Sequence, residues 1–149
     1  MAFNFEEYAQ EGKAFLRELA ANLGHPEEEQ TTARILRAVL HTFRDRITIS
    51  ESLDVLAQLP MFLKGIYVEQ WKYRETPLKI RSLEAFKDAV KAEQAQWGEQ
   101  EFQWKESTEE IIKTTFLSLK KYLTEGQAQH VLGQMPRDIQ EVFDYEHTT

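Results

Sequence analysis

Two stretches decide the fold of this chain: Ile35–Tyr67, ILRAVLHTFRDRITISESLDVLAQLPMFLKGIY, and Ile111–Phe143, IIKTTFLSLKKYLTEGQAQHVLGQMPRDIQEVF. They overlay without a gap at an offset of 76 residues. Six positions are identical: Ile35/Ile111, Thr48/Thr124, Val55/Val131, Leu56/Leu132, Gln58/Gln134 and Pro60/Pro136. Apolar positions pair as well. Leu36 matches Ile112, Leu40 matches Phe116, Phe43 matches Leu119, Leu63 matches Ile139 and Tyr67 matches Phe143. A repeat kept at its apolar and chain-turning positions is a repeat of fold.

Each copy reads as helices. Ile35, Leu36, Val39, Leu40, Phe43 and Ile47 recur with the 3.6-residue period of a core-facing stripe. Thr48 with Glu51 has capping-box spacing, and Thr124 with Gln127 repeats it. Pro60 and Pro136 each end one helix and pre-set the first turn of the next. Upstream, Asn4 with Glu7 starts a helix that stops at about Leu23-Gly24. Pro26 then opens the next helix at its first position, with Glu27, Glu28 and Glu29 in the first turn. Ser82 and the Ser107/Glu110 box begin the corresponding helices of the second half. No segment sustains a period of 2, so no sheet is expected. The predicted fold is all-α: about eight helices as two four-helix repeats, approximately 4–70 and 82–146, packed with pseudo-twofold symmetry in one domain over 1–149. The connection Val68–Lys79 carries Trp71, Tyr73 and Pro77 and lacks Gly/Ser composition, so it is expected to pack back across the halves.

Composition narrows the function. At 149 residues the chain is about one ordinary domain, large enough to be stable without a metal or disulfide. It has no cysteine, which removes disulfides and thiolate metal sites and suits a reducing cytoplasm. The N-terminus lacks a basic region followed by an apolar run, and no apolar stretch approaches the ~20 residues of a membrane span. A net charge of −7 disfavours nucleic acid and anionic membranes. There is no Gly-rich phosphate loop, GxSxG elbow, HExxH pattern or Cys–His dyad, so no catalytic residue, metal site or cofactor is expected, and the chain does not read as an enzyme. His25, His41, His130 and His147 are scattered. His41 and Asp45 lie one helical turn apart, a spacing that can hold a metal or form a His–carboxylate pair; zinc would need a third ligand, so a solvated or locally hydrogen-bonded histidine is expected.

Several stretches resemble a known family: Leu36-Arg37-Ala38-Val39-Leu40, Arg44-Asp45-Arg46-Ile47, Ala57-Gln58-Leu59-Pro60 and Lys64-Gly65-Ile66-Tyr67. The match continues through Glu69-Gln70-Trp71 and Pro77-Leu78-Lys79-Ile80-Arg81-Ser82-Leu83 to Gln134-Met135-Pro136. This is similar to the bacterial family catalogued as domain of unknown function 2267. Where the family reads Leu-Tyr-Tyr or Val-Tyr-Tyr after the Gly, this chain has Ile66-Tyr67-Val68. The resemblance implies a small, soluble, all-helical bacterial protein with an internal repeat. It implies no reaction and no catalytic residues.

Two candidate surfaces follow. Large rings cluster at the connections, and such rings, when exposed, mark interfaces. The candidate contact surface is Lys64, Tyr67, Trp71 and Tyr73 with Trp97, Phe102 and Trp104. It belongs to a cytoplasmic protein-interaction or homo-oligomerising module, monomer or homodimer, whose partner is another protein or itself. The alternative is a small-ligand binder with a pocket between the repeats. In that reading the ligand's anionic end meets Arg44, Arg46, Lys79 or Arg81, since guanidinium suits bidentate oxyanion recognition. At the position of Arg44 the second repeat has Lys120, and at Asp45 it has Lys121. A function particular to the first half belongs at that asymmetry.

Overall fold

The computed structural model describes residues 4–98 and 104–144. All regular structure among them is helical: α1 Phe5–Asn22, α2 Glu29–Arg46, α3 Ile49–Gln58, α4 Met61–Val68, α5 Leu83–Gln96, α6 Thr108–Lys120, α7 Glu125–Gly133 and α8 Arg137–Asp144. Side-chain oxygens of Asn4, Thr48, Ser82, Ser107 and Thr124 each accept a backbone N–H three residues on, at 3.0–3.2 Å. These bonds satisfy donors that a helix start would otherwise leave orphaned.

One boundary differs from the reading of the sequence. Pro26 does not open α2, which begins three residues later at Glu29. Gly24 takes a positive φ of 84°, and the N–H of Glu28 closes a turn onto the carbonyl of His25 at 3.0 Å. That turn absorbs the proline before the helix starts.

The apolar stripe of α2 is the centre of the domain. It packs on α5 most extensively, and on α1, α4 and α6. Ile35, Leu36 and Val39 are buried with Leu19, Leu63, Phe86 and Ile111. Phe43 sits between Phe86 and Phe116, with ring centroids 4.9 Å from each, and Phe116 meets Phe143 at 5.1 Å. One aromatic chain therefore joins α2 and α5 to α6 and α8.

The two segments that align in the sequence, 35–67 and 111–143, also exchange polar contacts. Gln134 Oε1 accepts the N–H of Thr48 at 3.0 Å, and Gln58 Oε1 accepts the N–H of Thr124 at 2.8 Å. Between them Gln127 Nε2 donates to Glu51 Oε1 at 2.8 Å, where α3 packs on α7. The first two bonds are counterparts under the 76-residue offset, which aligns Thr48 with Thr124 and Gln58 with Gln134, and the third joins the aligned positions Glu51 and Gln127.

Candidate functional site

The last two turns of α2 hold the segment 69–82, which joins α4 to α5 and contains no helix or strand. Arg44 is 4 % exposed. Its Nη1 donates to the carbonyls of Tyr67 at 2.6 Å and Glu69 at 2.9 Å. Carbonyls at a helix end have no partner within the helix, so one guanidinium caps the end of α4. Arg44 Nε donates to Asp45 Oδ1 at 3.0 Å, and Arg74 Nη1 approaches the same oxygen at 3.2 Å. The Asp45 carbonyl accepts the N–H of Leu78 at 2.9 Å. Farther along, Arg46 Nε donates to the Ile80 carbonyl at 3.0 Å. Gln70 turns the chain at φ 52°, in the left-handed region that non-glycine residues rarely adopt. The segment is thus irregular in backbone and still fixed at several points.

A buried histidine secures the same region from behind. His41 is fully buried. Its Nε2 donates to the Ile66 carbonyl at 2.6 Å, and its Nδ1 lies 2.5 Å from Glu93 Oε1. Burial pushes the Glu93 carboxyl up, but hydrogen bonds from His41 and Trp97, with the charges of His41 and Arg44, outweigh burial and hold it below the usual range. The Glu93 carboxylate and the Ile66 carbonyl thus face the two ring nitrogens of His41. Trp97 Nε1 donates to the same carboxylate at 3.1 Å, and the Arg37 guanidinium lies 3.9 Å from the Trp97 ring centroid. The local partner read from the sequence, Asp45, is not the partner found. On the same helix Asp45 faces Arg44 and Arg74, while His41 reaches across to α4 and α5.

The contact surface read from the sequence divides. Tyr67 is not on it: the ring is 1 % exposed, and its hydroxyl shares a 2.6 Å hydrogen bond with Ser52. The helical period that pairs Tyr67 with Phe143 puts it in the core, and burial pushes its hydroxyl pKa up to about 12. Trp71 is half-buried, edge-on to Tyr67 at 5.5 Å. Trp97 is half-buried against Arg37 and Glu93. Trp104 is half-buried and stacked on His25 at 3.9 Å, with Nε1 donating to Glu28 at 2.8 Å. Lys64 is half-buried, and Phe102 lies outside the described residues. Tyr73 is 78 % exposed. Sequence reasoning missed its exposed apolar neighbours Val68 and Leu78.

The candidate anion contacts divide too. Arg44 and Arg46 hold backbone carbonyls, whereas Lys79 and Arg81 are exposed. A polar cavity of about 60 Å³ lies between Arg44, Asp45, Lys72, Arg74 and Glu93. An apolar one of about 30 Å³ lies where Phe43 and Tyr67 approach Phe116 and Leu119. These hold about two waters and one water, since each takes roughly 30 Å³, and not a ligand needing roughly 300 Å³ or more. Two larger hollows, about 360 and 500 Å³, are grooves open to solvent between α1 and α6. The Lys121–Glu18 ion pair, 2.9 Å, borders the smaller.

Among the described residues no group of three His, Asp or Glu side chains is placed to hold a metal. No described helix is long and apolar enough to cross a membrane. No curated protein matches the chain. A family model described as uncharacterized conserved protein (DUF2267) matches residues 12–142, nearly the whole of the packed domain. The motifs at Arg44-Asp45-Arg46 and Pro77–Leu83, which fasten the connection to α2, lie inside that match, and the chain belongs to the DUF2267 family.

Proposed function

We propose that this protein acts in the bacterial cytoplasm as an interaction module, holding another protein chain against the outer side of the 69–82 connection and the adjoining end of α4. One observation carries the reading: Tyr73 is 78 % exposed on a segment that hydrogen bonds fasten to α2 on either side, at Glu69, Leu78 and Ile80. Large side chains presented on a fixed backbone lose little entropy on binding, which is what an interface anchor requires. The small enclosed cavities favour this reading over ligand storage between the repeats. The burial of His41, with both ring nitrogens facing groups of the protein itself, favours binding over catalysis, because no substrate reaches them.

The test places a photo-crosslinking amino acid at position 73 of the full chain in living cells, and at exposed Gln129 as a control. A discrete adduct from position 73 and none from 129 is the expected result. No adduct at 73, or the same adducts from both positions, refutes the proposal.

A further inference from the structure

The connection is basic in an acidic protein. Between 69 and 82 lie Lys72, Arg74, Lys79 and Arg81 against Glu69 and Glu75, four cations to two carboxylates, within a chain of net charge −7. Arg74 is engaged by Asp45. Lys72, Lys79 and Arg81 are exposed, and none of them pairs with a carboxylate among the described residues. Val68, Tyr73 and Leu78 stand among them, 48, 78 and 39 % exposed. Exposed cations and exposed apolar side chains thus share one short segment, where cations select a partner by charge and apolar side chains anchor it by burial.

Resting on the interaction reading above, we infer that the surface receives an acidic segment of a different protein, one that carries a large apolar side chain to lie against Tyr73 and Leu78. Charge complementarity decides among the occupants. A second copy docked by twofold symmetry would set this cationic segment against itself, which like charges oppose. Single-stranded nucleic acid needs a longer basic track and several stacking rings, whereas this surface has one exposed ring and the chain is strongly acidic. The fixed backbone leaves the partner to supply the flexibility, as a short acidic segment does.

The test uses the full chain and three fluorescein-labelled synthetic peptides, read by fluorescence anisotropy. The first is rich in Glu and Asp around a Phe-Leu pair, the second replaces every acid by Lys, and the third replaces Phe-Leu by Gly-Ser. Only the first binds tightly, and its affinity falls as salt rises. The K72E/K79E/R81E triple reversal, all at exposed positions, weakens it about tenfold or more, since each exposed pair contributes a few-fold at most. K79E alone stands in if the triple variant loses helix content by circular dichroism. Equal binding of the Lys peptide, or an unchanged affinity in the reversal variant, overturns the inference. So does a single-stranded RNA oligonucleotide that binds and is lost on reversal, or dimerisation by sedimentation that Tyr73→Ser abolishes. If no peptide binds but position 73 still crosslinks, the acidic partner is refuted and the interaction module stands. If position 73 fails as well, both fall.

Discussion

Replacing Arg44 by Met removes a buried guanidinium and leaves two carbonyls, those of Tyr67 and Glu69, without their donor. Orphaning a buried acceptor costs about 1–3 kcal/mol. The Tyr67 carbonyl belongs to a fully buried residue and stands near about 2 kcal/mol, whereas Glu69 is half-buried and water limits its loss to about 1 kcal/mol. Asp45 keeps Arg74 but loses the Arg44 Nε–H, about 1 kcal/mol more. Methionine regains about 1 kcal/mol through its buried methylenes. The sum is about 3 kcal/mol, or roughly 6–12 °C in Tm for a domain of this size. Urea unfolding with an unchanged m-value measures it, and hydrogen exchange at the Leu78 amide, which bonds the Asp45 carbonyl, tests whether the connection loosens. The matched control is Lys120→Met at the equivalent position of the second repeat. Lys120 is half-buried and lies 3.7 Å from Glu125, a contact worth under about 1 kcal/mol. If the two substitutions destabilise equally, or Arg44→Met by less than about 1 kcal/mol, the connection is not held by Arg44.

Three further outcomes follow from other contacts. His41→Leu and Glu93→Leu each lower stability by about 2–4 kcal/mol, because each strands a desolvated partner, while the double substitution recovers part of the loss; additive losses in urea unfolding refute the coupling. Glu93 lies below its ordinary 4.5, so its contribution is complete above that pH and disappears as pH falls through the lower folded value. Tyr67 is raised from 10.0 to about 12, so its contribution holds below pH 10 and is lost as pH rises toward about 12. Glu93→Gln flattens the acid limb and Tyr67→Phe the alkaline limb of stability against pH; unchanged limbs contradict the assignments. Gln58→Ala and Gln134→Ala each cost about 1 kcal/mol and resemble one another in thermal denaturation, since they break equivalent bonds. A loss confined to one of them shows that the exchange is not reciprocal in strength.

The fold was legible because its signals are local. Thr48, Ser82, Ser107 and Thr124 act within three residues of themselves, and the α2 stripe has one period from Ile35 to Phe43. Pro26 misled because a turn closed by Glu28 onto His25 competes with a helix start and uses the same residues. The site was less legible because its bonds are not local. His41 and Glu93 are 52 positions apart, Arg46 and Ile80 are 34 apart, and no spacing rule joins them. Tyr67 was misplaced for a different reason. Its match with Phe143 already marked a core position, and its nearness in sequence to Trp71 and Tyr73 carried it onto a surface it does not reach. A usable signal was the run of cations from Lys72 to Arg81 in an otherwise acidic chain.

The exchanged glutamines have a consequence for where the chain tolerates change. A half that offers its own Gln to its neighbour's Thr, and receives the same in return, carries a complete seam in one half-length of sequence. A change at one glutamine or threonine of the seam removes a contact from both halves at once, whereas elsewhere the halves differ without disturbing it. The second half has Leu117, Lys120 and Lys121 where the first has His41, Arg44 and Asp45. The joint uses matching residues on both sides, while only the first segment carries the residues that fasten the exposed strap.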